Sequence, residues 1–393
     1  MQPLLVTHFA TANPLGLGAT ATLKALREAC TGLRPNDFEH AEIDTWIGRV
    51  DGLERQPVIT ELAGFDCRNN RLAQLGLRQD GFESAVAQAR EEYGAERIAV
   101  LIGTSTSGIL ETELAYRKRR PADGALPANL NYQGSHNLFS VADFVRRYLH
   151  LLGLAEVIST ACSSSAKVFA SAYRFIEAGL CDAAVVGGVD SLCLTTLHGF
   201  ASLELLSNRP CRPCDAARNG ISIGEAAGFA LLERHGEAHT ALLGYGESSD
   251  AYHMSSPHPQ GEGARLSMHK ALNCAGLTSA DIDYINLHGT ATPANDSIED
   301  HAICQLFGER APCSSTKGWT GHTLGAAGIT EAIISILSIE HGFIPGTLNL
   351  ETTDPQLKSR IVKCNENRAL KRVLSNSFGF GGNNCSLVFG RVA

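Results

Sequence analysis

Short apolar runs alternate with stretches of helical periodicity along most of the chain. Apolar runs of strand length predict buried strands at residues 4–9, 98–102, 155–158, 182–190, 223–232, 282–287, 373–376 and 385–389. Helical spacing predicts helices at residues 19–29, 70–77, 82–93, 139–150, 267–275 and 296–307. Residues 31–66 look irregular, with room for a hairpin. Because strands and helices alternate, the pattern predicts an α/β fold.

Two further helices each begin at an elbow of small residues. The first follows Cys162 and ends at Gly179, and the second is opened by residues 316–322 and runs to about His341. The second helix is apolar on all sides, which is typical of a layer enclosed between two sheets. After each helix comes a strand that ends in a glycine-rich turn.

Because the same order of elbow, helix, strand and glycine-rich turn occurs twice, the sequence predicts two similar α/β halves that pack together. A polar segment, 235–240, is the expected joint, so the halves are residues 1–238, which contain Cys162, and residues 239–393. The loop 377–384 is expected to connect the last two strands.

Composition narrows the class of protein without identifying it. With 393 residues, 44% hydrophobic and 19% charged, the chain has ample material for a core. No run of eighteen apolar residues predicts a membrane span, and the N-terminus lacks a signal-peptide pattern. Twelve scattered cysteines indicate a reducing cytoplasm. The net charge of −8 argues against a general nucleic-acid binder.

Cys162 is the leading candidate for chemistry. A helix N-terminus lowers the pKa of a nearby thiol, although a small buried cysteine is an equally ordinary occupant of such a turn. His288 and His322 are each next to a glycine. His288 lies where a strand is predicted to end, and His322 lies where a helix is predicted to begin. Two such histidines in a chain with an elbow cysteine favour nucleophilic catalysis.

Three other features bear on a site. Glu331 lies in an apolar helix, and a buried carboxylate needs a partner, for which Lys317 is the nearest candidate in sequence. Residues 378–382 offer backbone N–H groups as oxyanion donors, or serve simply as a turn. The Cys211–Cys214 pair has no second pair at zinc spacing, so a loop is the expected role.

Four ordered motifs carry a resemblance to a known family. They are Thr160-Ala161-Cys162-Ser163-Ser164-Ser165, His288-Gly289-Thr290-Ala291-Thr292-Pro293, Lys317-Gly318 followed by Gly321-His322-Thr323-Leu324-Gly325, and Asn376-Ser377-Phe378-Gly379-Phe380-Gly381-Gly382. The chain resembles the elongating β-ketoacyl-acyl-carrier-protein synthases of the thiolase superfamily. The resemblance implies a thiolase-like fold, with two similar halves in five α-β-α-β-α layers.

The resemblance also implies roles for individual residues. Cys162 would hold an acyl group, while His288 and His322 would promote decarboxylation of a malonyl thioester. Phe380 would gate the site and supply an oxyanion N–H together with Cys162, and Thr290 and Thr292 would bind the pantetheine arm. The expected supporting charges are Lys317, Glu331, Asp296 and Glu299. No cofactor or catalytic metal is expected, although Asn286 and Glu331 match residues near a structural monovalent cation in some members.

The implied partners are an acyl carrier protein and a second subunit. Carrier proteins are acidic, so the basic run Arg117, Lys118, Arg119 and Arg120 is a candidate docking patch, with a solvated helix end as the simpler interpretation. The dimer would be a homodimer, or a heterodimer with a chain-length factor. Asn383, where many relatives have threonine, and the polar segment 129–134 leave the acyl substrate open between fatty acid elongation and a specialised pathway such as polyketide or aryl polyene assembly.

Four alternatives remain to be compared with this interpretation. A thiolase would have a second cysteine near the C-terminus, and a starter-type synthase would have asparagine in place of His322. A cysteine hydrolase would not need two histidines with Lys317. A non-catalytic chain-length or scaffolding subunit would lack the nucleophile, and Cys162 is present.

Overall fold

The structure, a computed structural model, describes residues 1–392. Its strands are β1 (Leu4–Asn13), β2 (Gly16–Leu17), β3 (Leu33–Pro35), β4 (Trp46–Gly48), β5 (Ile98–Gly103), β6 (Ala155–Ile158), β7 (Ala183–Asp190), β8 (Ile223–Gly224), β9 (Ala226–Glu233), β10 (Thr240–Ser249), β11 (Tyr284–Asn286), β12 (Pro312–Ser314), β13 (Phe343–Ile344), β14 (Arg360–Ile361), β15 (Glu366–Asn367), β16 (Arg372–Gly379) and β17 (Asn383–Arg391).

The α-helices are α1 (Gly18–Arg27), α2 (Arg68–Leu77), α3 (Phe82–Tyr93), α4 (Ile109–Arg117), α5 (Ser140–Tyr148), α6 (Ser164–Glu177), α7 (Leu194–Ser202), α8 (Glu262–Ala275), α9 (Pro293–Phe307), α10 (Lys317–Thr320) and α11 (Ala327–His341). Two short 3₁₀ turns, Leu324–Ala326 and Phe380–Gly382, lie close to the residues singled out from the sequence.

The strand order repeats between the two parts of the chain. In the first part the order is β1-β9-β7-β5-β6, and in the second it is β10-β17-β16-β11-β12. Counted along each part, both orders are first-fifth-fourth-second-third. The third strand is parallel to the second and the second to the fourth, while the fifth pairs antiparallel with its two neighbours in both parts. The two predicted similar halves are therefore confirmed, whereas the boundary between residues 238 and 239 stays a prediction.

Strands β1 and β10 pair antiparallel and join the two sets of strands, with β2 and β14, into one twelve-stranded sheet. Helices α6 and α11 form the layer between the two halves of this sheet. They contact each other and strands of both halves, while α2, α3 and α5 cover one outer face and α8 and α9 the other. Every residue from Ala327 to Ile339 is buried, as the apolar pattern predicts. The two helices approach each other closely at a glycine, because a Cβ on Gly328 would lie 2.4 Å from the Ala166 nitrogen. The five-layer arrangement matches the expected fold.

One segment, Leu324–His341, is long and apolar enough by length and composition to cross a membrane. In this structure 89% of it is buried inside the protein, between the two halves of the sheet. A helix enclosed in a protein core passes the same test of length and composition.

Several elements differ from the sequence expectation. Strand β10 and helices α4 and α7 were not predicted. The loop expected at 377–384 is mostly strand, because Phe378 pairs with Asn384 and Gly379 with Asn383. The helix expected to open at residues 316–322 is interrupted, since Gly321 has a φ of 74° and Leu324 a φ of 54°. The irregular region 31–66 does contain a hairpin, β3 with β4.

Candidate active site

Cys162 lies on a tight elbow between the third strand and the central helix of the first half. Ala161, immediately before it, has a φ of 51°, a conformation that L residues with a side chain rarely adopt. The Ser164 hydroxyl donates to the Ala161 carbonyl at 2.6 Å, and the Ser163 hydroxyl donates to the Thr160 carbonyl at 2.9 Å. These small side chains hold the elbow, and the Cys162 thiol points into a cavity that the second half also lines.

His322 occupies the equivalent elbow of the second half, and β8 fixes its backbone. Its N–H donates to the Ser222 carbonyl at 2.7 Å, and its carbonyl accepts from the Gly224 N–H at 2.9 Å. Gly224 must be glycine here, because a Cβ would lie 2.3 Å from the Thr320 carbonyl oxygen. This pairing of His322 with β8 could not be predicted from the sequence.

The tautomer of His322 follows from its hydrogen bonds. Nδ1 accepts from the Leu324 N–H at 3.2 Å, so a neutral ring carries its proton on Nε2. Nε2 lies 3.0 Å from the Cys162 sulfur. His322 therefore presents an N–H donor, rather than a base, to the cavity.

His288 follows β11 and faces His322. Its N–H and that of Gly289 each donate to the Glu299 carboxylate at 2.8 Å, which fixes the loop. The two imidazole ring centroids are 5.3 Å apart in an edge-on arrangement. Its Nδ1 lies 3.4 Å from the ammonium of Lys317, which can only donate, so its Nε2 also carries the proton.

Lys317 and Glu331 form the buried ion pair that the sequence predicted. The Lys317 ammonium contacts a Glu331 carboxylate oxygen and the His288 carbonyl, and both side chains are almost fully enclosed. Glu331 Oε2 and Asn286 Oδ1 are buried without a hydrogen-bond partner. Unpartnered oxygens are the donors a monovalent cation requires, so these two residues fit that group and would hold it, where it would supply a fixed positive charge.

Burial sets the charge state of the two histidines. Desolvation holds the pKa of His288 well below its usual range, with smaller contributions of the same sign from Lys317 and His322. Desolvation, then Lys317, likewise lowers the pKa of His322. Burial raises the pKa of Glu331 to about 7, against the opposing charge of Lys317. Both imidazoles are therefore neutral at physiological pH.

The thiol does not behave as the elbow position predicts. Burial raises the pKa of Cys162 to about 11, and the opposing effects of Lys317 and the Phe380 N–H do not overcome it. The expectation of a lowered thiol pKa was therefore wrong, because desolvation of the buried sulfur is the largest effect on the pKa of Cys162 and raises it. The resting residue is a thiol.

The turn at Phe380 closes over the elbow. A Cβ on Gly379 would lie 2.8 Å from the Thr160 carbonyl oxygen and 3.3 Å from the Cys162 nitrogen, so only glycine permits this approach. The Phe380 N–H reaches the Cys162 sulfur, and its ring lies 5.7 Å from that of Phe200, centroid to centroid. The Phe380 turn therefore lies directly against both the backbone and the sulfur of Cys162.

A cavity of about 410 Å³ opens at this point, large enough for the reacting part of a thioester. Cys162, His288 and His322 lie at its base, and Thr290 and Thr292 line its wall. Ten of the other eighteen lining residues are Ile221 and members of 293–295 and 378–384, whereas the remaining eight lie in or just after α7, or in 250–257 after β10, which were not predicted. The spacing of Leu194, Leu197 and Ala201 in α7 was the available signal.

The remaining candidates have supporting positions. Thr292 caps α9 by accepting from the Asn295 N–H at 3.3 Å, and the hydroxyls of Thr290 and Thr292 are 2.9 Å apart. Asp296 accepts from the Cys214 and Ala291 N–H groups.

Three other sequence features lie outside the group formed by Cys162, His288 and His322. Cys211 and Cys214 are buried free thiols, and Cys211 donates to the Lys317 carbonyl at 3.1 Å. The basic run Arg117–Arg120 is exposed at the end of α4 and does not line the cavity. Docking through this run stays a prediction. Asn383 accepts from the Lys167 ammonium at 3.4 Å beside the Phe380 turn.

Models of a known protein family match the sequence of this chain. The N-terminal domain of β-ketoacyl synthases matches residues 71–238, and their C-terminal domain matches residues 239–351. The chain belongs to the β-ketoacyl synthase family, whose members are acyltransferases that form carbon–carbon bonds.

Individual members of the family and solved structures are similar to this chain along nearly its full length. The chain is 32% identical to 3-oxoacyl-[acyl-carrier-protein] synthase 2 of Vibrio cholerae, with 99% of both chains covered. Among solved structures, it is similar to a ketosynthase in complex with its chain length factor from Xenorhabdus doucetiae, at 39% identity and a TM-score of 0.90 over 100% of this chain and 98% of that one. A β-ketoacyl synthase from Burkholderia phymatum is 27% identical, with a TM-score of 0.90 over the whole of both chains.

Proposed function

We propose that this chain catalyses the decarboxylative condensation of a malonyl thioester with an acyl group held on Cys162. The observation that carries the proposal is that Cys162, His288 and His322 converge: their sulfur and ring-nitrogen atoms lie within 4.8 Å of one another at the base of one cavity. Both substrates would arrive on the phosphopantetheine arm of an acyl carrier protein, beside Thr290 and Thr292, and no further cofactor takes part.

In the first half-reaction, the Cys162 sulfur attacks the carbonyl carbon of an acyl thioester. The tetrahedral oxyanion accepts hydrogen bonds from the Cys162 and Phe380 N–H groups. The pantetheine sulfur leaves and takes up the proton that the thiol loses. Because the resting group is a thiol, deprotonation accompanies attack rather than preceding it.

In the second half-reaction, a malonyl thioester loses carbon dioxide, and the electron pair of the broken bond forms an enolate. The Nε2–H groups of His288 and His322 donate to the enolate oxygen, which neutral imidazoles in a desolvated site can do. The enolate carbon attacks the acyl carbonyl, the Cys162 thiolate leaves, and it recovers a proton from water.

The test uses purified protein with a short acyl-carrier protein and malonyl-carrier protein. Intact mass should show one acyl adduct on the wild type and on Cys30→Ala, an exposed-cysteine control, and none on Cys162→Ala. Condensation by Cys162→Ala at the wild-type rate, or a wild type that forms neither adduct nor β-ketoacyl product, would contradict the proposal. The latter result would favour a non-catalytic chain-length or scaffolding subunit.

The acyl chain and the partner are also part of the proposal. Curated relatives named for acyl carrier proteins, and a similar ketosynthase solved with its chain length factor, support a carrier-protein substrate in polyketide or fatty acid assembly and a second ketosynthase-like subunit. A cytoplasmic location accords with the free thiols. Native mass spectrometry distinguishes a homodimer from a heterodimer.

A further inference from the structure

Asp190 is a fully buried carboxylate that the reaction described above does not use. It is the last residue of β7, with 0% of its surface exposed. Its Oδ1 accepts from the N–H and hydroxyl of Thr106 and from the Thr104 hydroxyl, between 2.7 and 2.9 Å. Its Oδ2 accepts from the Gly325 N–H at 2.6 Å. One carboxylate thus joins the turn after β5 to the elbow that carries His322.

The elbow that carries His322 approaches the Asp190 carboxylate closely at Gly325. A Cβ on Gly325 would lie 2.7 Å from Asp190 Oδ2 and 2.8 Å from the Ser105 nitrogen, so the approach requires glycine. The residue before it, Leu324, has a φ of 54°, a conformation that persists only where its surroundings hold it. The Gly325 N–H bond to Asp190 holds that residue from its C-terminal side.

Leu324 is also the residue that sets the state of His322. Its N–H donates to His322 Nδ1 at 3.2 Å, which leaves the proton on Nε2, 3.0 Å from the Cys162 sulfur. A chain of contacts therefore runs from Asp190 through Gly325 and Leu324 to the imidazole. If Gly325 moves away, Leu324 can relax and its N–H no longer faces Nδ1.

The repeated topology supplies an independent argument. Asp190 ends the fourth strand of the first half, and Gly379 ends the fourth strand of the second. Gly379 lies against the Cys162 elbow, whereas Asp190 lies against the His322 elbow. Each half thus braces the reactive elbow of the other at the same point of its fold.

We propose that Asp190 is the positioning residue of His322, and that by holding Gly325 it keeps the imidazole in the orientation and tautomer that the second half-reaction needs. The inference rests on the proposed function. Asp190 does not touch the substrate, so its loss should slow condensation more than acyl transfer to Cys162, which depends mainly on the thiol and the Phe380 turn.

The experiment compares Asp190→Asn with Thr106→Val in the full chain. Thr106→Val removes a hydroxyl that contacts the other carboxylate oxygen and leaves the Gly325 contact in place. Acylation is timed by intact mass, and the isolated acyl-enzyme is then mixed with malonyl-carrier protein to time the loss of the adduct. Asp190→Asn should slow the second step by about 10–100-fold, by analogy with the loss found when a residue that orients a metal-binding histidine is changed. Thr106→Val should keep the wild-type ratio of the two rates.

A purely structural role would lower thermal stability and slow both steps in proportion. That result, or an unchanged ratio in Asp190→Asn, overturns the inference while leaving the proposed function intact. A wild type that does not condense overturns the proposed function instead. If Asp190→Asn fails to fold, Gly325→Ala is the second variant, because it retains the carboxylate but displaces the N–H, and it should show the same selective loss.

Discussion

The protonation state of Cys162 leads to a sharp prediction about alkylation by iodoacetamide. Only the thiolate reacts, and burial raises the pKa of Cys162 to about 11. At pH 7 the thiolate fraction is then about 10⁻⁴, compared with roughly 3% for a free thiol of pKa about 8.5. The alkylation rate of Cys162 should therefore rise about tenfold per pH unit from pH 7 to pH 10.

The measurement follows the mass of the Cys162 peptide after timed exposure at each pH, with free cysteine as the reference thiol. The shape of the profile is the readout, because limited access to the cavity changes all rates by a common factor. Free cysteine should level off near its pKa while Cys162 continues to rise. A plateau for Cys162 at or below about pH 8 would refute the reasoning and show that the helix N-terminus dominates after all.

Two further predictions concern the surroundings of the thiol. Gly379→Ala should slow acylation of Cys162, measured by intact mass, because its Cβ would push the Phe380 turn outward; Gly199→Ala, which has nothing within 4 Å, is the control and should acylate normally. Lys317→Met should cost about 3–5 kcal/mol in urea unfolding at pH 8, because a Glu331 carboxylate without its partner must either stay charged in the core or take up a proton as the chain folds. Since the pKa of Glu331 is raised to about 7 with Lys317 present, and should rise further without it, the loss should shrink at pH 5.5; an equal loss at both values would contradict this.

The sequence predicted most elements whose signal is local. The apolar run of β5 and the all-apolar α11 needed no tertiary information, and the two elbows led to the repeat between halves. Strand β10 was not predicted from the sequence, because its glycines weaken the pattern that is typical of a strand. Those glycines admit α8, since a Cβ on Gly246 would lie 2.0 Å from the Ser267 carbonyl oxygen. Such an approach is a property of the packed protein.

Some features of the candidate site could likewise be predicted from the sequence, and others could not. Cys162, His288, His322 and the Lys317–Glu331 pair were named from residue type and position, and the structure brings them together. The thiol pKa and the β8 contacts of His322 were not predictable, because both depend on how deeply distant segments enclose the elbow. Asp190 looked like an ordinary strand end for the same reason.

The crossing of α6 and α11 at Gly328 has a consequence for the rate of the proposed reaction. Helix α6 begins just after Cys162, and α11 begins a few residues after His322. The distance between the two helices at their crossing therefore determines the distance between the Cys162 sulfur and the His322 imidazole. A Cβ on Gly328 would lie 2.4 Å from the Ala166 nitrogen and would force the helices apart. A substitution deep in the apolar layer, remote from any substrate, would then change turnover by altering this spacing, as a misplacement of about 1 Å can cost 10²-fold. In this fold, the packing of the core sets the geometry of the chemistry.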